Sequence, residues 1–391
     1  MKLCERQAAL DSLLLAFREF WHPQPFREIR PDWCVKFEAL SATLLNLDDA
    51  TATRLNDQGD AALGLFAKHV PAVADLLALA ELPLRQMSPL ADHGSRWAWE
   101  IPGRKRAQIE AFAAATRSTG QPVLDWCGGK GHLGRLLAHE WRIPVETLEI
   151  DPALCAAGAA LAAKGGVDHE FRATDVMTVD DRPLAGQHAV ALHACGDLHR
   201  QLLRRGSAAG ARRLDVAPCC YHRGGAEVYC AMSPGLALQL SRDDMRLAVT
   251  ETVTASAREG RQRDRGMAWK LGWDAYRRAV TNDEGYRNFK PVSEALLRGS
   301  FADFLAAMVR RERVPGGGAA NVAEFEVEGW RRQREVFRLS IVRHAFRRAL
   351  EVWLVLDLAV YLEAQGYAVE LGRFCERYLS PRNLLISAVR A

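Results

Sequence analysis

The sequence predicts an α/β protein built on a mostly parallel sheet, and three observations predict it. Short apolar runs at residues 123–124, 189–192 and 214–217 are typical of buried strands. Helical patterns of apolar and alanine residues alternate with these runs, as at residues 151–163. A glycine-rich turn at residues 128–131 separates the first run from the helix that follows it. Strands that alternate with helices form βαβ units, in which the strands are parallel.

The stretch from residue 122 to residue 151 is expected to fold as strand, glycine turn, helix and strand. Gly129, Gly131 and Gly134 fit the pattern G-x-G-x-x-G, in which glycines allow a sharp turn and a close approach of the backbone to a ligand. The pattern alone is a weak signal, because such turns also occur without a ligand. Within a strand, turn and helix, the glycine pattern nevertheless favours a Rossmann-like sheet. The residues of the turn predicted to bind a ligand are Asp125, Cys127, Gly129 and Gly131.

Acidic residues indicate which ligand the turn binds. Glu149 and Asp151 end the second strand, close to the offset of about 20 residues at which an acid accepts hydrogen bonds from ribose hydroxyls. Asp125 precedes the turn, where it repels a pyrophosphate but suits a cationic ligand. We therefore expect S-adenosylmethionine (SAM), which has an ammonium and a sulfonium. NAD or FAD is the alternative, followed by a structural turn without a ligand.

Asp175 follows the third strand, which is expected around Phe171. A carboxylate at this position suits the amino group of adenine, so we predict that Asp175 also binds the cofactor. The alternative is a structural Asp that ends a strand or caps a helix.

Two later segments place reactive side chains at strand ends. The first is His193-Ala194-Cys195-Gly196-Asp197, and the second is Pro218-Cys219-Cys220-Tyr221-His222. In an open parallel sheet both ends lie beside the glycine turn, so their side chains are expected to converge there. The predicted catalytic residues are His193, Asp197, Cys219, Cys220 and His222, and His193 is also expected to contact the cofactor.

The chemistry of these residues has several interpretations. His193, His222 or Asp197 is a candidate base for a hydroxyl acceptor. A thiolate of the cysteine pair is a candidate nucleophile for a pyrimidine ring, or the cysteines are small buried residues. A metal site formed by Cys219, Cys220 and His222 with His193 or Cys195 is disfavoured, because adjacent cysteines lack the usual C-x₂-C spacing. We predict no metal.

The chain is expected to contain four segments. Residues 1–100 form a helical accessory domain, residues 101–229 the SAM-binding core, residues 230–340 a helical insertion after the fifth strand, and residues 341–391 a helix and strands that complete the sheet. Residues 344–364 are expected to form one amphipathic helix with Arg347 and Arg348 facing outward. Trp269, Trp273 and Tyr276 of the insertion are expected to be core residues.

Three motifs together resemble one family of enzymes. The motifs are DWCGGKGHLGRLLA, ALHACGDL and APCCYH, within residues 103–222. This part of the chain is similar to class I SAM-dependent methyltransferases. More narrowly, it resembles the methyltransferase domain of methyltransferase-like proteins with the ALHACGDL motif, of the glutathione S-transferase C-terminal-domain-containing protein, and of tRNA 2′-O-methyltransferases.

The resemblance implies where SAM and the acceptor bind. SAM is surrounded by Asp125, Gly129, Gly131, Glu149 and Asp175, and the HACGD and PCCYH segments line the methyl-transfer site. The resemblance also implies an RNA acceptor, with tRNA as a candidate. A protein or small-molecule acceptor, or a SAM-binding interaction protein without turnover, remains the alternative.

Composition and charge set further expectations. The net charge is +4, but residues 1–100 have 10 Lys/Arg and 14 Asp/Glu, whereas residues 257–313 have 13 Lys/Arg and 8 Asp/Glu. A basic insertion is mild evidence for an anionic substrate. Nine cysteines in a chain with no predicted export signal favour reduced thiols and a cytoplasmic location. We expect no membrane span and no obligate protein partner.

Overall fold

A computed structural model describes residues 1–94, 96–178, 184–250, 257–289, 292–314 and 321–391. Helices precede the first strand, as the apolar spacing predicts. They are α1 (Leu3–Ala16), α2 (Arg18–Trp21), α3 (Trp33–Lys36), α4 (Glu38–Leu45), α5 (Asp49–Asp57), α6 (Gly59–Ala67), α7 (Asp75–Ala80) and α8 (Gly103–Ala115).

Strands and helices then alternate through the middle of the chain. In order they are β1 (Val123–Trp126), α9 (His132–Trp141), β2 (Val145–Glu149), α10 (Pro152–Gly165), β3 (His169–Ala173), β4 (His188–Cys195), α11 (Asp197–Ala209) and β5 (Arg213–Cys219). The local sequence explains α10 well. Asp151 caps its first turn by accepting a hydrogen bond from the Ala153 amide, Pro152 begins it, and Gly166 ends it in a left-handed conformation.

In the described part of the chain, four α-helices lie between β5 and the last helix. The elements after β5 are α12 (Arg242–Val249), α13 (Ala257–Thr281), α14 (Phe301–Glu312), α15 (Val322–Ala345), α16 (Arg347–Ala364), β6 (Tyr367–Arg373) and β7 (Leu384–Arg390). Strands β6 and β7 lie within residues 341–391, where strands that complete the sheet were expected. The helical insertion after the fifth strand is therefore confirmed.

The seven strands form one sheet in the order β3-β2-β1-β4-β5-β7-β6. Strands β1 to β5 are parallel, whereas β7 is antiparallel to both β5 and β6. The order 3-2-1-4-5 is that of a doubly wound sheet. The α/β, Rossmann-like prediction is confirmed.

The chain divides into two compact units. The first contains Met1–Leu15, Asp75–Glu251 and Arg347–Ala391, and therefore the whole sheet. The second contains Ala16–Ala74 and Thr252–Phe346. The four segments expected from the sequence remain a prediction.

The second unit has an aromatic core. Trp269, Trp273 and Tyr276 are at most 4% exposed and pack with Phe301 and Phe304. The prediction that these α13 aromatics are core residues is confirmed.

The expectation of one helix over residues 344–364 was wrong. His344 lies in α15, and α16 begins at Arg347. The side chain of Arg347 is buried instead of facing outward. The apolar spacing could not show this, because most of α16 is buried rather than one face alone.

Among the described residues, no helix has both the length and the apolar composition needed to cross a bilayer.

A buried ionic network joins β4, β5 and β7 at the end of the sheet where β4 and β5 begin. The Asp215 carboxylate accepts hydrogen bonds from His188 (2.7 Å), Arg213 (2.6 Å) and Ser387. Burial by itself raises the pKa of Asp215, but the hydrogen bond and charge of His188, with the charge of Arg213, lower it to about 2. Both oxygens of the Asp215 carboxylate accept hydrogen bonds, and these contacts fix the pairing of the three strands.

Replacing Asp215 should destabilise the first unit strongly. Asp215→Ala leaves the buried His188 and Arg213 without their carboxylate, which costs about 3–5 kcal/mol. Glu146→Ala on β2 is the matched control, because Glu146 pairs with the half-exposed Arg172 and such surface pairs contribute at most about 1 kcal/mol. Urea unfolding of both variants measures the difference, and equal shifts of their midpoints would contradict the assignment.

Candidate active site

The carboxyl ends of β1 to β5 meet at one edge of the sheet, because these five strands are parallel. The strand order reverses between β1 and β4, since β2 and β3 lie on one side of β1 while β4 and β5 lie on the other. Ligands of open α/β sheets bind in the crevice at such a switch point. The crevice is therefore flanked by the turn after β1 and by the end of β4.

Three strand ends at this edge have a non-glycine residue in the left-handed region. They are Cys127 after β1 (φ 57°), His193 within β4 (φ 70°) and Cys220 after β5 (φ 47°). A side chain in this conformation costs about 1 kcal/mol or more, and such residues cluster at functional sites. All three were predicted site residues.

The Asp125 carboxylate lies beneath the glycine turn. It accepts hydrogen bonds from the Gly134 amide (3.1 Å) and the Thr147 hydroxyl (3.4 Å), and the residue is only 1% exposed. A Cβ at Gly128 would lie 2.4 Å from Asp125 Oδ2, so a side chain at residue 128 is excluded. The sequence pattern singled out Gly129 and Gly131, both of which have positive φ, but it did not identify Gly128 as a required glycine.

Burial raises the pKa of Asp125 to about 6, although its hydrogen bonds and Lys105 oppose the shift. Glu149 raises it further by repulsion. Asp125 is therefore largely ionised at pH 7.

Glu149 joins the end of β2 to the glycine turn. Its Oε2 accepts a hydrogen bond from the Gly129 amide (3.0 Å), and its Oε1 accepts from the amides of Ile150 (3.0 Å) and Asp151 (3.2 Å). Carboxylate oxygens have further lone pairs, so Glu149 can still accept from a ligand hydroxyl. Asp151 is exposed and caps α10.

Three carboxylates act together on the turn after β1. Burial and then the charges of Glu149, Asp125 and Asp175 raise the pKa of the Cys127 thiol to about 12. Asp175 follows β3, is half-buried, and accepts a hydrogen bond from the Met177 amide (2.9 Å). The crevice next to Cys127 thus has a negative potential.

His193 is positioned by a residue that the sequence analysis missed. Its Nε2 donates a hydrogen bond to Gln108 Oε1 (3.1 Å), and Gln108 Nε2 donates to the Leu379 carbonyl (2.9 Å). Burial lowers the pKa of His193, so the ring is neutral at pH 7 with Nδ1 left as an acceptor. Gln108 lies on α8, and nothing in its local sequence indicates a contact with β4.

The basic residues at the start of α8 have different partners. Arg104 donates to the carbonyl of Leu379, and Arg106 forms an ion pair with Glu110 (2.9 Å). Lys105 is exposed, and its positive charge lowers the pKa of Asp125 and His193. Of the three cations, Lys105 is the one whose charge acts on the predicted site residues.

Three thiols lie together at the ends of β4 and β5. The Sγ atoms of Cys195, Cys219 and Cys220 are all within 4.8 Å of one another, and Cys195 and Cys219 are 3.5 Å apart. Cys219 is buried, and the other two are half-buried. The structure thus brings together Cys195 and the predicted cysteine pair, all three of which the sequence analysis considered for a metal site.

The HACGD and PCCYH segments pack against each other. Gly196 has φ 57°, and a Cβ there would lie 2.5 Å from the Arg223 carbonyl. Asp197 at the start of α11 accepts a hydrogen bond from the Gly225 amide (2.8 Å). This close packing requires glycine at residue 196 and fixes Asp197 to the turn after β5.

His222 lies in the turn after β5. Burial lowers its pKa, and its Nδ1 is buried with no hydrogen-bond partner in the described part of the chain. The neighbouring Tyr221 is buried, with its ring edge against His199 (centroids 5.7 Å apart). His222 therefore retains an unused nitrogen.

Comparison with known protein families finds one match in this region. Residues 104–224 match a family described as a methyltransferase domain. These residues contain β1 to β5, the glycine turn and both later segments. A comparison with curated protein sequences found no match.

Solved structures with partial similarity include methyltransferases with different acceptors. A SAM-dependent methyltransferase from Aquifex aeolicus is 11% identical, with 44% of this chain and 79% of that chain covered and a TM-score of 0.24. The 23S rRNA methyltransferase ErmE is 18% identical (60% and 97% covered, TM-score 0.25). Geranyl diphosphate methyltransferase, in complex with GPP and sinefungin, is 17% identical (34% and 55% covered, TM-score 0.26).

The chain spans about half the length of geranyl diphosphate methyltransferase. These partial likenesses are too weak to carry an argument about this chain, whereas the family match coincides with the parallel strands and the glycine turn. The match of residues 104–224 to a methyltransferase domain and the doubly wound strand order support a class I methyltransferase.

Proposed function

We propose that this chain is a SAM-dependent methyltransferase that methylates RNA, with tRNA as the candidate substrate. The observation that carries the cofactor assignment is the group of three carboxylates, Glu149, Asp125 and Asp175, whose charges act together at Cys127. A pyrophosphate is repelled by this potential, whereas the ammonium and sulfonium of SAM are attracted.

The residues fit SAM in a specific arrangement. Glu149 accepts hydrogen bonds from the ribose hydroxyls, since backbone amides already orient its two oxygens. The backbone of Gly129 and Gly131 allows close approach of the cofactor. Asp175 accepts from the adenine amino group, and Asp151 lies beside Glu149 at the end of β2. Cys127 and His193 flank the place from which the methyl group leaves.

SAM supplies a methyl group on a sulfonium, which an acceptor displaces in line. The protein must hold the acceptor in line with the leaving sulfur and, for a hydroxyl acceptor, remove its proton. His193, His222 and Asp197 are the proposed bases. The lowered pKa of both histidines keeps them neutral at pH 7, as a base must be. Cys219 and Cys220 line the same site.

A cavity in the second unit supports an RNA acceptor. It measures about 760 Å³, and the residues that line it have a net charge of +2. Its lining residues are Arg258, Arg261, Arg265, Arg298, Gln262, Asp264, Glu294 and Trp330. Arginines bind phosphates, and an aromatic ring such as Trp330 stacks on a base.

Arg265 lines this cavity, and its guanidinium lies 5.5 Å from the Trp269 ring. Its Nε is buried without a hydrogen-bond partner in the described part of the chain. A cytoplasmic location, where RNA and SAM are both present, is part of the proposal.

Glu149→Ala should weaken SAM binding by at least about tenfold, because hydrogen bonds to a charged group contribute about 1.5–3 kcal/mol. Glu146→Ala is the matched control, since Glu146 lies on the same strand but pairs with Arg172. Isothermal titration with SAM, and with NAD in parallel, gives the dissociation constants. Equal SAM affinity in the two variants would refute the role of Glu149, and tight NAD binding would refute the choice of cofactor.

SAM affinity should fall as the pH falls from 7 to 5. Asp125 has a pKa of about 6 in the folded protein, so acid protonates it and removes a negative charge from beneath the turn. If binding requires the ionised form, the dissociation constant rises by up to about tenfold over this range. Lys105 and Glu149 also influence the pKa of Asp125. Asp125→Asn is the control, because an amide does not titrate, and the SAM affinity of this variant should be nearly independent of pH. The same pH dependence in both proteins would contradict this assignment.

The acceptor is tested by incubating the full chain with methyl-tritiated SAM and either total cellular RNA or total cellular protein. We expect label in RNA. Arg261→Glu should weaken RNA binding and lower its salt slope by about 1 while leaving SAM binding unchanged. Arg334→Glu is the control, because Arg334 is an exposed arginine of the same unit outside the cavity.

The other outcomes identify the rival functions. Label only in protein, or only in small molecules, keeps the methyltransferase and refutes the RNA acceptor. SAM binding with no label in any fraction indicates an interaction protein without turnover. If Arg261→Glu and Arg334→Glu weaken RNA binding equally, the cavity is not part of the RNA-binding surface.

A further inference from the structure

The cysteine cluster at the ends of β4 and β5 has the arrangement of a metal site. Cys195 is the last residue of β4, Cys219 is the last residue of β5, and the two are paired in register across the strands. Cys220 follows in the left-handed conformation. This turn brings its thiol to the other two, so that three sulfurs from two neighbouring strands face one point.

The separations of the sulfur atoms match those required by zinc. Zinc binds thiolates at about 2.3 Å in tetrahedral geometry, which places the sulfurs about 3.8 Å apart. Cys195 and Cys219 are 3.5 Å apart, and no pair exceeds 4.8 Å. Adjustments of about 1 Å or less, within the reach of small side-chain rotations, would give the ideal separations. Sets of three thiolates select soft or borderline cations such as zinc over magnesium or calcium.

The three thiols must lose their protons to bind a metal, because the thiolate is the ligand. A divalent cation would stabilise all three thiolates, and its binding would release the protons that the cysteines still hold.

We propose that Cys195, Cys219 and Cys220 bind one zinc ion, with a fourth coordination position open to water on the crevice side. Three protein ligands and one open position distinguish a catalytic or exchangeable zinc from a closed structural one. In the sequence analysis the adjacent positions of Cys219 and Cys220 argued against a metal, and Cys195 was one of two alternatives for a further ligand. The third ligand comes from β4, 24 residues earlier. The proposal stands on this geometry and does not depend on SAM or on RNA.

The test is a titration of the reduced, metal-free full chain with zinc, and with cadmium, whose thiolate complexes absorb in the ultraviolet. We expect one equivalent of cadmium to produce the absorption band and one equivalent of zinc to displace it. Cys220→Ser is the principal variant, because Cys220 is half-buried and tolerates replacement better than Cys219. Loss of this ligand should weaken binding on the order of 100-fold or more, since loss of an outer-shell partner alone costs 10–100-fold.

Two controls separate the cluster from the other thiols. Cys375→Ser replaces a buried cysteine and Cys230→Ser an exposed one, both of the first unit, and both should bind cadmium as the wild type does. Zinc should also protect Cys195 and Cys220 from alkylation in the native wild-type chain. That measurement requires no variant to fold.

Three results would overturn the proposal. They are the absence of a charge-transfer band in the reduced wild type, equal binding by Cys220→Ser and Cys375→Ser, and alkylation of Cys220 that zinc does not slow. Formation of a disulfide between Cys195 and Cys219 in a chain that binds no cadmium would identify the pair as a redox couple instead. Failure of SAM binding in the same preparation would leave these results unchanged, so the two proposals are tested separately.

Discussion

The constraint on which the candidate site depends is the meeting of five parallel strand ends at one edge of a sheet. At this edge Cys127 after β1, His193 at an irregularity within β4 and Cys220 after β5 lie in the left-handed region. Each such residue costs about 1 kcal/mol or more, which the surrounding packing must offset. The close approach of Gly196 to Arg223 and of Gly128 to Asp125 shows how tightly the turns are fixed.

The two ends of the sheet are stabilised differently. Where β4 and β5 begin, His188, Arg213 and Asp215 form a buried network in which each charge has an opposite partner. At the other end, the carboxylates of Asp125, Glu149 and Asp175 are held by backbone amides and a hydroxyl, and none of them forms an ion pair with a Lys or Arg of the described residues. Amide donors keep these acids oriented without neutralising them. The negative charge of these three carboxylates is therefore available to a ligand, whereas the negative charge in the buried network is neutralised within the protein.

The sequence predicted what local patterns determine. The glycine turn, the strands and the buried Trp269 all follow from residues adjacent in the chain, and the structure contains them. Gln108, which orients His193, was missed because its partner lies 85 residues away. The sequence left His193 and Cys195 as alternatives beside the cysteine pair, and the register between β4 and β5 brings the thiol of Cys195 to the pair. Arg347 was misplaced because α16 is buried on most of its surface.

The reversal of strand order between β1 and β4 separates two groups of side chains that suit different chemistry. Asp125 lies within β1, Glu149 ends β2 and Asp175 follows β3, on one side of the reversal in strand order. His193 and the three thiols belong to β4 and β5, on the other side. A cationic cofactor is attracted to the first group, and a soft cation or an acceptor that must lose a proton is suited to the second. The methyl group of a cofactor bound by the first group would therefore face the side of the edge that carries the candidate bases.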